Sequence, residues 1–261
     1  MANIIRAIWY QLKKDSYMIY SCLLAVVIGV FLLADGGIST DNGGIFYIDM
    51  KHLYAVMMVA LPILWASRIC GGDYNNKTIN YEMLAGHTRA ECYFGRLLLS
   101  VLLILGVLSI LILIPQVVVT IWHGYGRQVS FYWEMVELLE AVLLCVRIIC
   151  YVNFCSVLLR NSYAAMFISY IGIGFSLFLV LIVREICDIK VVTDNMIGVV
   201  RLFDLMGESN YAPQVINGQE INVYKLAMRG SEVAGTLIVS AAVSVFYILA
   251  GYGIVKKRDM E

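Results

Sequence analysis

Apolar residues in this chain gather into six long blocks separated by short polar connections. The blocks run over approximately 17–34, 53–69 (reaching back toward Phe46), 94–122, 136–159, 163–183 and 233–255. A hydrocarbon core of about 30 Å takes about 20 apolar residues as a helix, because lipid offers an unpaired backbone group no partner. Each block therefore predicts a spanning helix. Pro62 and Pro115 are expected to kink the second and third of them. Ahead of the first block, Ile4, Ile5, Ile8 and Leu12 recur at helical spacing against Arg6, Lys13 and Lys14, which predicts a short amphipathic helix over 3–14 lying in the interface. The expected fold class is an all-α integral membrane protein with six transmembrane helices, residues 1–261 forming one membrane domain.

Composition sharpens this picture. Hydrophobic residues make up 61% and charged residues 15%, against about 25% charged in a soluble globular protein, so a soluble enzyme is excluded. Lys plus Arg equals Asp plus Glu, and the zero net charge removes the electrostatic footprint of a nucleic-acid binder. The seven cysteines are odd in number, only Cys187 falls in an expected outer segment, and no pair has C-x-x-C spacing, so no disulfide framework or zinc site is expected.

Orientation follows from the short connections, where Lys and Arg resist translocation. An inside N-terminus places Arg6, Lys13, Lys14, Arg68, Lys77, Arg89, Arg96, Arg160, Lys256, Lys257 and Arg258 in the cytoplasm, against Lys51 and Arg127 in the short outer loops. Both termini are then cytoplasmic. Trp9 and Trp65 fall at the inner boundary and Trp122 and Trp133 at the outer one, the positions of an aromatic belt. No A-x-A site follows the first block, so it reads as an uncleaved helix rather than a signal peptide. The long segment 184–232 is then extracellular. Met196, Val199, Val200, Phe203 and Met206 share a face there against Asn195, Arg201 and Asp204, which predicts an amphipathic helix on the outer leaflet; 207–219, with Pro213 and Gly218, reads as loop.

Catalytic constellations do not emerge. His52, His87 and His123 all lie in or near connections, and neither H-E-x-x-H nor G-x-S-x-G is present. The run G-G-D-Y-N-N-K-T from Gly71 to Thr78 approaches the phosphate-binding loop, but Asn76 stands where its second glycine belongs and a membrane helix precedes it. No cofactor is expected in this chain.

The inner connection 70–93 carries the most local information. Thr78 to Ala85 fits about two helical turns, Gly86 is placed to end them in the left-handed conformation, and Thr88 with Glu91 forms a capping-box pattern for the next helix. The run K-T-I-N-Y-E-M-L-A-G-H-T-R-A-E-C-Y-F-G-R-L-L, with Asp73 ahead of it, resembles the intracellular segment of bacterial ABC type-2 export permeases. The residues that fit are Asp73, Lys77, Thr78, Ile79, Gly86, Thr88, Arg89, Phe94, Gly95, Arg96 and Leu97, about a tenth of the chain, and the six-span layout agrees. The resemblance implies a half-transporter in the bacterial cytoplasmic membrane. Two copies would pair, and each would dock one of two separate ABC ATPase subunits, which bind ATP and Mg, through Thr78, Ile79, Tyr81, Glu82, Met83, Leu84, Gly86 and Arg89.

At membrane depth, Glu137, Glu140, Arg147 and Tyr151 fall within about 80° on one helical face. Such a stripe either lines an export path or holds a buried ion pair that locks packing. The resemblance places the path mainly along the second and fifth spans, where Met57, Met58, Pro62 and Trp65 offer a soft surface and Ser169, Gly172 and Ser176 are small. An apolar path suits an amphipathic or antimicrobial peptide, exported as a toxin or expelled for immunity. The alternatives are export of another hydrophobic drug or lipid or, from a different class, a membrane sensor or intramembrane enzyme. Membrane lipid is an expected partner and nucleic acid is not.

Overall fold

The long apolar blocks fold as helices, the form that closes every backbone hydrogen bond within one segment. A computed structural model describes residues 2–39, 42–75, 82–126, 129–187, 199, 201, 202, 205, 211–216, 219–224 and 230–257. Its helices are α1 (Ala2–Lys14), α2 (Ser16–Ser39), α3 (Gly43–Leu61), a π-helical turn (Pro62–Ala66), α4 (Ser67–Asn75), α5 (Arg89–His123), α6 (Phe131–Leu159), α7 (Ser162–Cys187) and α8 (Gly230–Lys257). Four stretches among the described residues are long and apolar enough to cross a membrane: Gly43–Gly72, Arg89–His123, Phe131–Leu159 and Val233–Lys257. Ile4–Lys14 with Ser16–Phe31, bent by 71°, makes a fifth if the pair is one span. Ser162–Ser176 is a shorter apolar helix.

Burial assigns positions in the bundle. Of the apolar window in Gly43–Gly72, 67% is buried within the chain, against 17% in Val233–Lys257, so the former is central and the latter peripheral. Tyr54, Met58, Ile104, Leu144 and Ile149 join α3, α5 and α6 in one core. The two prolines act differently. Pro62 has no N–H for the preceding turn, and the helix widens there into the π turn. Pro115 is buried inside α5, which runs through it unbroken.

The amphipathic reading of α1 is refined by packing. Ile4, Ile8 and Leu12 are buried against the bundle, with Ile4 seated over Gly95 of α5, while Arg6, Lys13 and Lys14 are exposed. Asp15 makes the corner into α2. Its Oδ1 accepts the Tyr17 N–H, and its Oδ2 pairs with Arg68 Nε at 2.8 Å. The rings of Tyr17 and Tyr163 flank that guanidinium at 5.9 and 5.8 Å.

Several expectations are corrected. Trp65 is no belt residue: it is 1% exposed, and its indole N–H donates to Ser21 Oγ at 2.9 Å. Lys51, placed by sequence in an outer loop, is fully buried on α3. The segment expected to be helix and loop contains an antiparallel hairpin of β1 (Tyr211–Ile216) and β2 (Gln219–Tyr224), with Tyr211 opposite Tyr224 and Pro213 opposite Asn222. Both strands of a two-stranded ribbon are edges, where proline is tolerated. Of the expected amphipathic helix, residues 199, 201, 202 and 205 are described, all helical. Val199, Leu202 and Leu205 are buried, and Arg201 turns toward α6 rather than to water. Met196, Val200, Phe203, Met206, Asn195 and Asp204 lie outside the described residues.

Candidate functional site

Where the 70–93 connection meets α5, short-range sequence signals build a fixed turn. Residues 82–84 are helical and Gly86 follows with φ +89°. The His87 N–H donates to the Glu82 carbonyl at 3.2 Å and the Gly86 N–H to the Met83 carbonyl at 3.0 Å. That pair of bonds is a Schellman motif, which needs a left-handed residue and so favours glycine. Two residues later, Thr88 Oγ1 accepts the Glu91 N–H and the Glu91 side chain returns to the Thr88 N–H, completing the capping box at the start of α5. The Thr88 backbone N–H and hydroxyl hold the Glu91 carboxyl below the usual carboxylate range. A lowered pKa contributes stability above the unfolded value of about 4.3 and loses it as pH falls through the folded one, so the box is engaged at neutral pH.

Two arginines tie this turn to the bundle. Arg96, 2% exposed, pairs with Glu82 Oε2 at 2.7 Å and donates to the Cys92 carbonyl at 3.1 Å. Arg89 donates through Nη1 to the Val255 and Lys256 carbonyls at 3.3 and 3.2 Å, and so caps the C-terminal end of α8. The Tyr93 hydroxyl donates to the Ile248 carbonyl at 3.0 Å. A Cβ at Gly251 would lie 2.5 Å from that hydroxyl, so only glycine lets the ring sit there. Phe94 and Tyr252 stack beside it with centroids 5.5 Å apart.

Of the residues expected to couple to an ATPase, the structure brings Glu82, Met83, Leu84, Gly86 and Arg89 together. Thr78, Ile79 and Tyr81 lie outside the described residues. Leu84 is 83% exposed, the largest apolar group on the turn left to water, whereas Met83 is half-buried. The first residues of the connection, through Asn75, continue the preceding helix as α4.

The stripe on α6 separates into different environments. Glu137 pairs with Lys51 at 3.3 Å and accepts from the Tyr47 hydroxyl at 3.1 Å, both on α3. Glu140 pairs with Arg201 at 3.4 Å. Arg147 is 6% exposed and lies in the field of Tyr247 on α8. Tyr151 packs against the Tyr247 ring at 5.5 Å and into the notch at Gly172 of α7. The two glutamates are thus in buried ion pairs with Lys51 and Arg201. Met57 and Met58 are 7% and 2% exposed and belong to the core of the single chain. Ser169 is fully buried, and Ser176 Oγ donates to the carbonyl of Ile173 at 2.7 Å.

No family model and no curated protein matches the chain. Its site has to be read from its own geometry. Sequence reasoning missed Tyr47, which bonds the Glu137 partner of Lys51, and the neighbouring Tyr125–Glu134 hydrogen bond. The signal within reach was Glu134, three residues before Glu137 on the same helical face.

Proposed function

We propose that this chain is the membrane-spanning permease subunit of an ATP-driven exporter of the ABC type-2 kind. Two copies pair, and each takes force from a separate ATPase chain that binds ATP and Mg. In this reading α7 crosses as well, because its 26 residues reach about 39 Å at 1.5 Å per residue. Six spans then put both termini on the cytoplasmic side of a bacterial cell membrane. The excess of Lys and Arg in the connections on that side supports the orientation. The cargo is an amphipathic peptide.

The observation that carries the proposal is Leu84. An 83% exposed leucine on a turn held by the Schellman bonds, the capping box and the Glu82–Arg96 pair is a rigid apolar projection at an end of the bundle. Exposed anchors of this kind fit pockets on a partner. Displacement of the turn would move α5 through Arg96 and α8 through Arg89. An enzyme or sensor has no need of such a link.

The test is co-purification. The parent protein, tagged and extracted from native membranes in mild detergent, should bring down a nucleotide-binding ATPase chain. Met83→Asp with Leu84→Asp should insert normally and lose that chain, along with cargo-stimulated ATP hydrolysis. A double variant that retains the ATPase and transports at the parent rate overturns the coupling assignment. A parent protein that brings down no ATPase overturns the permease reading and favours the sensor.

A further inference from the structure

The corner between α1 and α2 borders a cavity that export and ATPase docking leave unused. Asp15 makes the corner, and the helix axes differ by 71° across it. On one side lies α1, whose exposed residues include Lys13, Lys14, Trp9 and Tyr10. On the other lies α2, where Tyr20, Leu23, Leu24, Val27 and Phe31 are each more than half exposed. A basic, aromatic helix that turns into an apolar one marks the boundary between water and hydrocarbon, whichever side of the membrane it faces.

The cavity holds about 550 Å³, within the roughly 300–1,000 Å³ of small-molecule sites. Tyr10, Gln11, Lys14 and Ser16 line it from the α1–α2 side, and Arg68 and Gly72 line it from α4. Two cations from different helices thus share one cleft. Lys14 Nζ lies over the Tyr10 ring at 4.4 Å. Arg68 is held by Asp15 Oδ2 at 2.8 Å through Nε, and its Nη1 donates to the Tyr163 hydroxyl at 3.5 Å. A guanidinium carries five N–H donors, and those on Nη2 have no partner among the described residues. Asp15 also lines the cleft, but both its oxygens are engaged, Oδ2 by Arg68 and Oδ1 by the Tyr17 N–H.

We infer that this cleft holds the headgroup of an anionic phospholipid, its phosphodiester shared by Lys14 and Arg68 and its acyl chains laid along the exposed row of α2. The planar fork of arginine matches phosphate oxygens, and the lysine adds a point charge. A zwitterionic headgroup fits less well, because its ammonium would meet Lys14 and Arg68 while the Asp15 carboxylate is already paired. A free phosphate would leave the apolar row on α2 uncovered. The bound lipid bridges α1 to α4, and so stabilises the corner in proportion to the free lipid. The site requires only that the chain sit in a membrane, so its test depends on neither an ATPase nor a cargo.

The test follows the melting temperature of the purified, delipidated full chain in neutral detergent at constant salt, titrated with phosphatidylglycerol. Phosphatidylcholine with the same acyl chains and soluble glycerol phosphate serve as comparisons. Phosphatidylglycerol should raise the melting temperature saturably, phosphatidylcholine should need about tenfold more, and glycerol phosphate should have no effect over the same range. Lys14→Gln should weaken the phosphatidylglycerol midpoint by about tenfold. Lys13→Gln, exposed and outside the cleft, should leave it within about twofold. A Cβ at Gly72 meets nothing within 4 Å, so Gly72→Leu grows into the cleft and should abolish the saturable rise. A chain indifferent to phosphatidylglycerol, equal midpoints for the two phospholipids, equal losses from Lys13→Gln and Lys14→Gln, or a parental midpoint in Gly72→Leu overturns the site. A glycerol phosphate response matching that of the lipid makes the occupant a free anion and overturns the lipid. If Gly72→Leu does not fold, the contrast between Lys14→Gln and Lys13→Gln decides.

Discussion

Removing the Glu82 carboxylate tests how firmly the exposed turn is held. Arg96 has a side chain 3% exposed and Glu82 one 16% exposed, with their charged atoms 2.7 Å apart. Glu82→Ala removes a counter-charge from the buried guanidinium, whose Nη1 also donates to the Cys92 carbonyl at 3.1 Å. Breaking a fully buried pair costs about 3–5 kcal/mol. Because the Glu82 side of this pair admits some water, about 2–3 kcal/mol is expected here, some 30- to 150-fold in the equilibrium for opening the turn. The sensitive reporters are the Gly86 and His87 amides, since their bonds to the Met83 and Glu82 carbonyls open with the turn. Hydrogen exchange of the 82–88 peptide should accelerate by that factor in Glu82→Ala, and Arg96→Leu with Glu82→Leu should recover most of the protection. An exchange rate within about twofold of the parent, equivalent to roughly 0.4 kcal/mol, would show that the pair does not fix the turn.

Gly86→Ala meets no atom within 4 Å, so its cost is backbone strain alone, about 1–2 kcal/mol, read as faster exchange of the same two amides. Gly172→Ala puts a Cβ into the Tyr151 hydroxyl and should lower stability by about 1–3 kcal/mol in a detergent melt; adding Tyr151→Phe should restore most of the loss, and equal stabilities of the single and double variants would refute the contact. With native cysteines removed, a cysteine at Ser39 or Asn217 should react with an impermeant thiol reagent on intact cells and one at Asn75 should not; labelling at Asn75 would reverse the orientation.

Legibility in the sequence followed the range of the interaction. The capping box at Thr88–Glu91 and the glycine stop at Gly86 depend on residues within five positions of one another, and the spacing alone specifies them. The long apolar blocks likewise declare helices, because lipid leaves the backbone no other solution. The hairpin was written in the sequence but overlooked: Asn217–Gly218 is a strong two-residue turn signal, flanked here by V-I and by I-N-V-Y. Reading Pro213 as a breaker hid it, although an edge strand accepts proline. Long-range partners were out of reach. Nothing local says that Arg201 turns to Glu140, or that Lys51 leaves a polar stretch to meet Glu137, because both depend on which helices become neighbours. Met57 and Met58 illustrate the same limit, since a soft apolar stripe reads alike whether it lines a path or fills a core.

Arg89 reaches carbonyls 166 and 167 positions further along the chain, and Tyr93 one 155 positions away. During synthesis, the turn that presents Leu84 emerges long before α8 exists. Until α8 leaves the ribosome, Arg89 does not have this helix end to cap, and Tyr93 has no notch at Gly251 to enter. A chain stopped before α8 would display the apolar projection on its local turn but without the ties to α8, so a partner that grips the joint of the turn with α8 rather than Leu84 alone would engage only chains that carry α8. Chain order thereby lets the joint between the turn and α8 form only after the other described helices have been made.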